Sequence, residues 1–268
     1  QTAQALGATG ATGDFINGVA IDLNLSPGDS VTLTVNAAAN GYVVDSGNNV
    51  AVGVCNGRLS ASTGVAVTTS DVSSSTSVFF VPYKGNKISL FDGTGTWSTF
   101  RFANISVACP TTSSTPFDVF AYNNGGTLTL ELLAWTSDSA RATALTRLNG
   151  VWVKPGDSTR RYVGTIRTDT TTTTIDDGGG FESRIGGKRF VYNASNRVAF
   201  DLREIETISS WAYSIATWRQ ANGNTANRVE WVQGLSDDLV IAQVAAEHSV
   251  TDVASEGSVS LAFDSTTV

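Results

Sequence analysis

Apolar and polar residues alternate along most of this chain with a period of two. Val19, Ile21, Leu23 and Leu25 interleave with Ala20, Asp22, Asn24 and Ser26, and Val31, Leu33 and Val35 with Thr32, Thr34 and Asn36. Successive side chains of a strand point to opposite faces, so these runs predict two half-buried strands, joined through SPGDS as an early hairpin. Further strands are predicted at 50–55, 78–81, 87–91, 99–105, 117–122 and 161–167, and through Leu128, Leu130 and Leu132 after the NNGG turn. Asn149-Gly150 in RLNGVWV predicts a type I′ hairpin turn, in which both central residues need positive φ. TTSDVSSSTS at 68–77 predicts a long loop or a domain boundary, and TDTTTTTIDDGGG at 168–180 an exposed loop. Residues 211–218 and 228–232 flank QANGNTAN as a second hairpin, and Val259, Leu261 and Phe263 predict a closing strand. Helical candidates are few: 137–148, with Ser137 as cap, and 198–208. Many short strands separated by turn signals predict an all-β fold, an antiparallel β-sandwich or jelly-roll-like arrangement with two β regions.

Composition narrows the setting. Of 268 residues, 41% are apolar but only 15% charged, well below the usual quarter. The chain therefore has material for a large core, and its surface is carried by Ser, Thr, Asn and Gly. Such a surface suits an extracellular or virion protein better than a cytosolic helical enzyme. Lys and Arg total 17 against 24 acids, a net charge of −7 without a basic block, so the footprint of a nucleic-acid binder is missing. No apolar run approaches membrane-spanning length, and no membrane partner is expected. The N-terminus lacks the charged and apolar regions of a signal peptide, although a signal already removed would leave no trace. A chain that begins at Gln1 and contains no methionine reads as a fragment or a processed product.

The first fourteen residues pose a separate question. In GATGATGD, glycine falls at Gly7, Gly10 and Gly13. A collagen triple helix needs glycine at every third position because only glycine fits the crowded axis. Three triplets without proline are too few to hold such a helix alone. The run is thus either a small-residue linker or the end of a collagen-like stalk, and a stalk would require three chains.

Candidate chemistry is sparse. PGDS occurs at 155–158 as well as 27–30, but both copies lie between strands, where Pro, Gly, Asp and Ser serve a turn. A Ser-His-Asp site would also need histidine, and the single one, His248, lies in AAEHSV without a supporting motif. Two carboxylates suffice for a glycosidase, and Asp92, Asp118, Glu131, Asp176 and Asp177 are candidates that the sequence does not bring together. Asp92 in FDGTG reads as a turn residue, and Asp176-Asp177 as part of a solvated loop. DDGGG lacks the alternating oxygen ligands of a calcium loop, and no phosphate-binding or dinucleotide fingerprint occurs. Catalytic, cofactor and metal residues are therefore predicted to be none. Cys55 and Cys109 read as small buried thiols in a reducing cytoplasm, with one disulfide as the alternative in an oxidising compartment. Six Trp and six Tyr fall mostly in strand patterns and are expected in the core, with glycan stacking as the alternative.

Several phrases carry a resemblance. VPYKGNKISLFDGTGTWSTF at 81–100, TPFDVFAYNNGGTLTLELLAWTSDSARATALTRLNGVWV at 115–153 and RRYVGTIRTD at 160–169 resemble a module of tailed-bacteriophage fibre or appendage proteins, which often have collagen-like segments. KRFVYNASNRV at 188–198, ATWRQANG at 216–223 and LAFDSTTV at 261–268 fit the same resemblance, which spans about 77–268. The family offers no catalytic residues to transfer. The resemblance marks 77–268 as an appendage-type module; 15–76 lie outside it and read from their strand pattern as an N-terminal β region, and 1–14 as a stalk end or linker. The glycine phase, supported by the resemblance, predicts a homotrimer with the N-terminal segment near the threefold axis, and the resemblance implies a place in the virion, on capsid or tail, with assembly in the host cytoplasm. Other virion proteins are the expected partners, with a host surface glycan as a further one. Two other readings stay open: a tail-associated glycan depolymerase, and a secreted collagen-stalk binding protein with a trimeric head.

Overall fold

In a computed structural model of the chain, the described residues are 52–177, 187–213, 215, 217–237, 239–247, 249 and 258–263, with the backbone of four short strands nearer the N-terminus. Those four are β1 (Thr2–Ala3), β2 (Leu23–Asn24), β3 (Thr32–Asn36) and β4 (Gly41–Asp45). β1 pairs with β2 and β3 with β4, so the pairing of β3 differs from the hairpin predicted across SPGDS. Gly7, Gly10 and Gly13 lie outside the described residues.

The fold is all-β and antiparallel, as the alternation predicts. β5 (Gly57–Ser60), β6 (Val72–Ser75), β7 (Ser77–Pro82), β8 (Lys87–Phe91), β9 (Trp97–Arg101) and β10 (Ile105–Ala108) come first. Long strands follow: β11 (Pro116–Asn124), β12 (Thr127–Ser137), the short β13 (Ala140–Arg141), β14 (Thr146–Leu148), β15 (Val151–Lys154) and β16 (Asp157–Arg167). β17 (Thr174–Asp177), β18 (Lys188–Arg189), β19 (Val191–Asn193) and β20 (Glu230–Trp231) complete the set. The largest sheet runs β13-β12-β11-β16-β15-β14, with β19 also on β16. Smaller sheets are β10-β7-β5, β8-β9 and β20-β18-β17-β6, the last containing a parallel pair, β18 with β20.

Alternation decides which residues meet. Phe117, Val119 and Ala121 of β11 and Leu128 and Leu130 of β12 face one way. There they pack with Leu59, Val78, Phe80, Ile88, Leu90, Val163, Ile166 and Val191 in one core between the large sheet and the smaller sheets. β5 pairs with β7 and β6 with β17, so strands from either side of position 76 share sheets and core.

Turn chemistry is as the sequence implies. Asn149 and Gly150 have φ of 50° and 84°, the type I′ signature, and close β14 on β15. β8 spans the predicted 87–91, and the strand predicted at 99–105 is split into β9 and β10.

Other expectations are overturned. Residues 137–148 hold the end of β12, then β13 and β14, because Arg141 and Leu148 find strand partners; no described helix reaches seven residues. Both predicted loops contain strands, since β6 in 68–77 pairs with β17 in 168–180. Of the strand predicted at 50–55, residues 50 and 51 lie outside the described residues, and 52–55 contribute only an isolated bridge, Cys55 with Ile88. Among the described residues the hairpin predicted around QANGNTAN does not form: a 3-10 turn occupies Ala221–Gly223, and β20 pairs with β18 instead. Residues 258–263 form no strand.

Candidate assembly surface

The outer face of the large sheet is polar and tightly cross-linked. Asp118, the residue between Phe117 and Val119, points away from the core with only 1% exposure. Its carboxylate accepts from Arg141 Nε at 2.7 Å, Arg141 Nη2 at 3.2 Å and Thr165 Oγ1 at 2.8 Å. Thr165 Oγ1 in turn bonds Tyr162 Oη at 2.7 Å, and Arg141 also donates to the Gly234 carbonyl. Burial, then the nearby Asp118 charge, pushes the Tyr162 phenol far above its ordinary value, so it stays neutral. A Cβ at Gly234 would lie 2.5 Å from Tyr192 Cδ1 and 2.6 Å from Thr165 Oγ1. Only glycine lets residues 232–234 lie this close to the sheet.

The other candidate carboxylates are engaged as well. Glu131 accepts from Lys154 and, at 2.8 Å, from Arg160 Nε. Burial pushes its carboxyl up, but those two hydrogen bonds more than reverse this and leave it below its ordinary value. Asp176 is buried, not part of a solvated loop: Thr68 Oγ1 donates to it at 2.7 Å and Arg189 Nη2 lies 3.1 Å from Oδ1. The Oδ1 atom has no hydrogen-bond partner, so the Arg189 contact is ionic in character without an aligned N–H. Burial pushes the Arg189 guanidinium down to about 10. Asp177 follows on the same strand, and burial together with Asp176 raises its carboxyl.

Asp92 is the turn residue the sequence predicts. Its Oδ1 accepts from the backbone N–H groups of Thr94, Gly95 and Thr96 between 2.7 and 3.0 Å, closing β8 on β9. Hydrogen bonds from the Thr96 and Thr94 amides hold the carboxyl at about 2. A carboxyl depressed in the folded state adds stability above its unfolded value near 4, and that stability is lost as pH falls through about 2. A carboxyl-carbon NMR titration is expected to show Asp92 with a midpoint near 2. A midpoint near 4 would refute the turn geometry.

Pro155 and Gly156, the latter with φ of 77°, form the turn that the sequence predicts for PGDS, and Asp157 and Ser158 are already the first two residues of β16. Ser30 and His248 lie outside the described residues. Cys55 and Cys109 are both free thiols, the first buried and the second half-buried. Among the described residues no group of His, Cys, Asp and Glu is placed to hold a metal ion, and no helix is long and apolar enough to cross a membrane.

The expectation that the tryptophans pack in the core is corrected. Only Trp97 is buried, while Trp211 and Trp218 are exposed. They belong to a wider feature. Ile205, Ile208, Trp211, Tyr213, Ile215 and Trp218 are exposed, as are Leu239, Val240, Ile241 and Val244, then Val259, Leu261 and Phe263. Outside this stretch, the only other large apolar side chains exposed among the described residues are Val65 and Tyr83. Thirteen such side chains fall among the described residues of 205–263, a concentration unlike the singly scattered exposed apolar residues usual on a monomer.

A groove of about 560 Å³ opens beside the polar network, lined by Arg141, Leu145, Arg147, Trp152, Ser236 and Asp237 among others. Arg147 stacks over Trp152 at 4.2 Å, and Asp237 pairs with Arg197 at 3.1 Å. Sequence reasoning missed both the groove and the apolar surface. The alternation in WAYSIATW signalled a strand with one buried face, but Trp211, Tyr213, Ile215 and Trp218 are exposed.

No protein-family model, curated protein or solved structure matches this chain.

Proposed function

We propose that the chain is a bacteriophage virion structural protein, a fibre, spike or capsid-decoration subunit that assembles as a homotrimer and displays its β-sandwich from the particle, with host attachment as a further role. The observation that carries this reading is the exposed apolar surface of residues 205–263 on an all-β, weakly charged chain. A subunit built to be buried by others has such a surface, whereas a free monomer would be driven to associate by it. The phage-module resemblance over 77–268 supports the particle setting. The glycine phase at Gly7, Gly10 and Gly13 supports three parallel chains with their N-terminal segments near the axis.

The role is structural, without a cofactor or a catalytic centre. The engagement of Asp92, Asp118, Glu131 and Asp176 by arginine, lysine, hydroxyl or backbone groups supports this over the depolymerase alternative. The decisive measurement is subunit density, or antibody labelling, on purified virions of the source phage. Labelled capsids or tails are the expected result. Protein found free in the lysate and missing from particles would overturn the assignment.

A further inference from the structure

Resting on the trimer reading, we infer that the described stretches 205–213, 217–237, 239–247 and 258–263, with Ile215, form an assembly arm whose exposed apolar side chains are covered by a second copy of this chain, so that each subunit completes the surface of its neighbour.

The arm has the sequence pattern of strands without their pairing. Trp211, Tyr213 and Ile215 alternate, as do Val259, Leu261 and Phe263, yet β20 is the only strand described after residue 194. Period-two alternation needs one covered face, and extended backbone needs hydrogen-bond partners. The chain's own core does not supply that cover. The main core is composed of residues between Cys55 and Val191, with none from the arm. The arm is held to the sandwich at its middle, through β20 on β18 and the Gly234 carbonyl on Arg141, while Trp231 and Phe263 meet edge to face within the arm itself. On either side of that anchor the apolar side chains are open: Ile215 is 66% exposed, Leu239 85% and Ile241 76%.

Quantity and self-complementarity favour a second copy as the occupant. Thirteen large apolar side chains amount to on the order of 1,000 Å², comparable with the roughly 800 Å² that each partner contributes to a standard interface. The same chain also offers receiving edges, since β9, β14 and β20 each end a described sheet. A subunit that carries both a strand-patterned arm and strands that end its described sheets can pass the arm to the next copy and receive one from the previous copy, which closes a ring. Charge does not oppose this despite the net −7. Glu206 is the sole charged residue from 205 to 218, and 239–246 and 258–263 have none.

The test uses the full chain in three forms: unaltered, Ile215→Asp with Ile241→Asp together, and Val65→Asp as an exposed apolar control away from the arm. Light scattering at micromolar concentration is expected to give a trimer for the unaltered chain and for Val65→Asp. The double variant is expected to show about a threefold lower mass. Its circular dichroism and melting should stay those of a folded sandwich, because neither side chain is buried within one chain. An unaltered chain that is itself monomeric would overturn the trimer reading and the arm with it. A trimeric unaltered chain whose double variant is also trimeric would overturn the arm alone. Hydrogen exchange on the unaltered trimer guards against a variant that fails to fold. Slow exchange at 205–213 and 239–244 is expected, and free exchange there would overturn the proposal. A mass increase only on mixing with other particle proteins would likewise overturn it in favour of a foreign occupant.

Discussion

Gly164→Ala is expected to remove most of the protein's stability, with a fall in melting temperature of about 10 °C or more. Gly164 lies in β16 where the pairing with β11 slips: Val119 faces Gly164, but Phe120 faces Tyr162, so Val163 is the extra residue of a bulge. On its other side Gly164 pairs with Asn193 of β19. A Cβ built here would fall on the Tyr192 carbonyl oxygen, well inside contact distance, and 2.7 Å from Leu59 Cδ1. The obstacle is backbone, so no rotamer change relieves it, and β19 must move away from β16. That movement also breaks a buried clamp in which Asn193 accepts from the Leu59 amide at 2.6 Å and donates to the Leu59 carbonyl at 3.0 Å. Overpacking costs about 1–3 kcal/mol, and each buried polar group left unpaired costs a similar amount. A total near 5 kcal/mol is a large part of the 5–15 kcal/mol of a typical domain. Gly53→Ala is the matched control, since nothing lies within 4 Å of its Cβ and its φ is ordinary. Equal melting of Gly164→Ala and the unaltered chain would refute the bulge geometry.

Asp118→Ala is expected to cost about 3–5 kcal/mol, the usual effect of removing one partner of a buried ion pair. The loss strands the Arg141 guanidinium over Trp135, 4.4 Å from the ring, with the Gly234 carbonyl as its remaining acceptor. Thr165 and Tyr162 lose the acceptor at the end of their hydrogen-bond chain. A double-mutant cycle with Arg141→Ala separates the pair from its surroundings. The double variant is expected to be little worse than either single one, with a coupling of about 1–3 kcal/mol. Additive losses would show that Asp118 and Arg141 act independently. Because the network clips residues 232–234 to the sheet, hydrogen exchange at Val232 and Gln233 should also rise in Asp118→Ala.

Both residues show why the sequence was only partly legible. Asp118 reads as one polar position in an alternating strand, PFDVFAY, and the alternation places it correctly on the face opposite Phe117 and Val119. It does not say that this face is covered too, by the chain near Gly234, some 115 residues later in the chain. Gly164 reads as a weak spot in a strand, and only the close approach of Tyr192 makes it necessary. The exposed apolar side chains after residue 205 are the sharper case. Trp211, Tyr213 and Ile215, like Val259, Leu261 and Phe263, read as strands with one buried face, yet all six are exposed.

By itself the sequence determined what depends on local chemistry. Period-two alternation places β8, β11, β12 and β16; Asn149-Gly150 and Pro155-Gly156 close their hairpins; and Asp92 caps its turn with amides two to four residues away. These follow from steric and hydrogen-bonding preferences that act over a few residues. Tertiary structure decided everything that needs a distant partner. It recruited 72–75 and 174–177, which read as polar loops, into a shared sheet, and it drew 137–148 into strands against a helical pattern. It turned β20 to pair in parallel with β18 instead of with the 211–218 segment, and it left Trp211, Ile215, Leu239 and Ile241 exposed. Strand pairing is a choice among many edges of similar local propensity, and only the packing of the whole sandwich sets which edges meet.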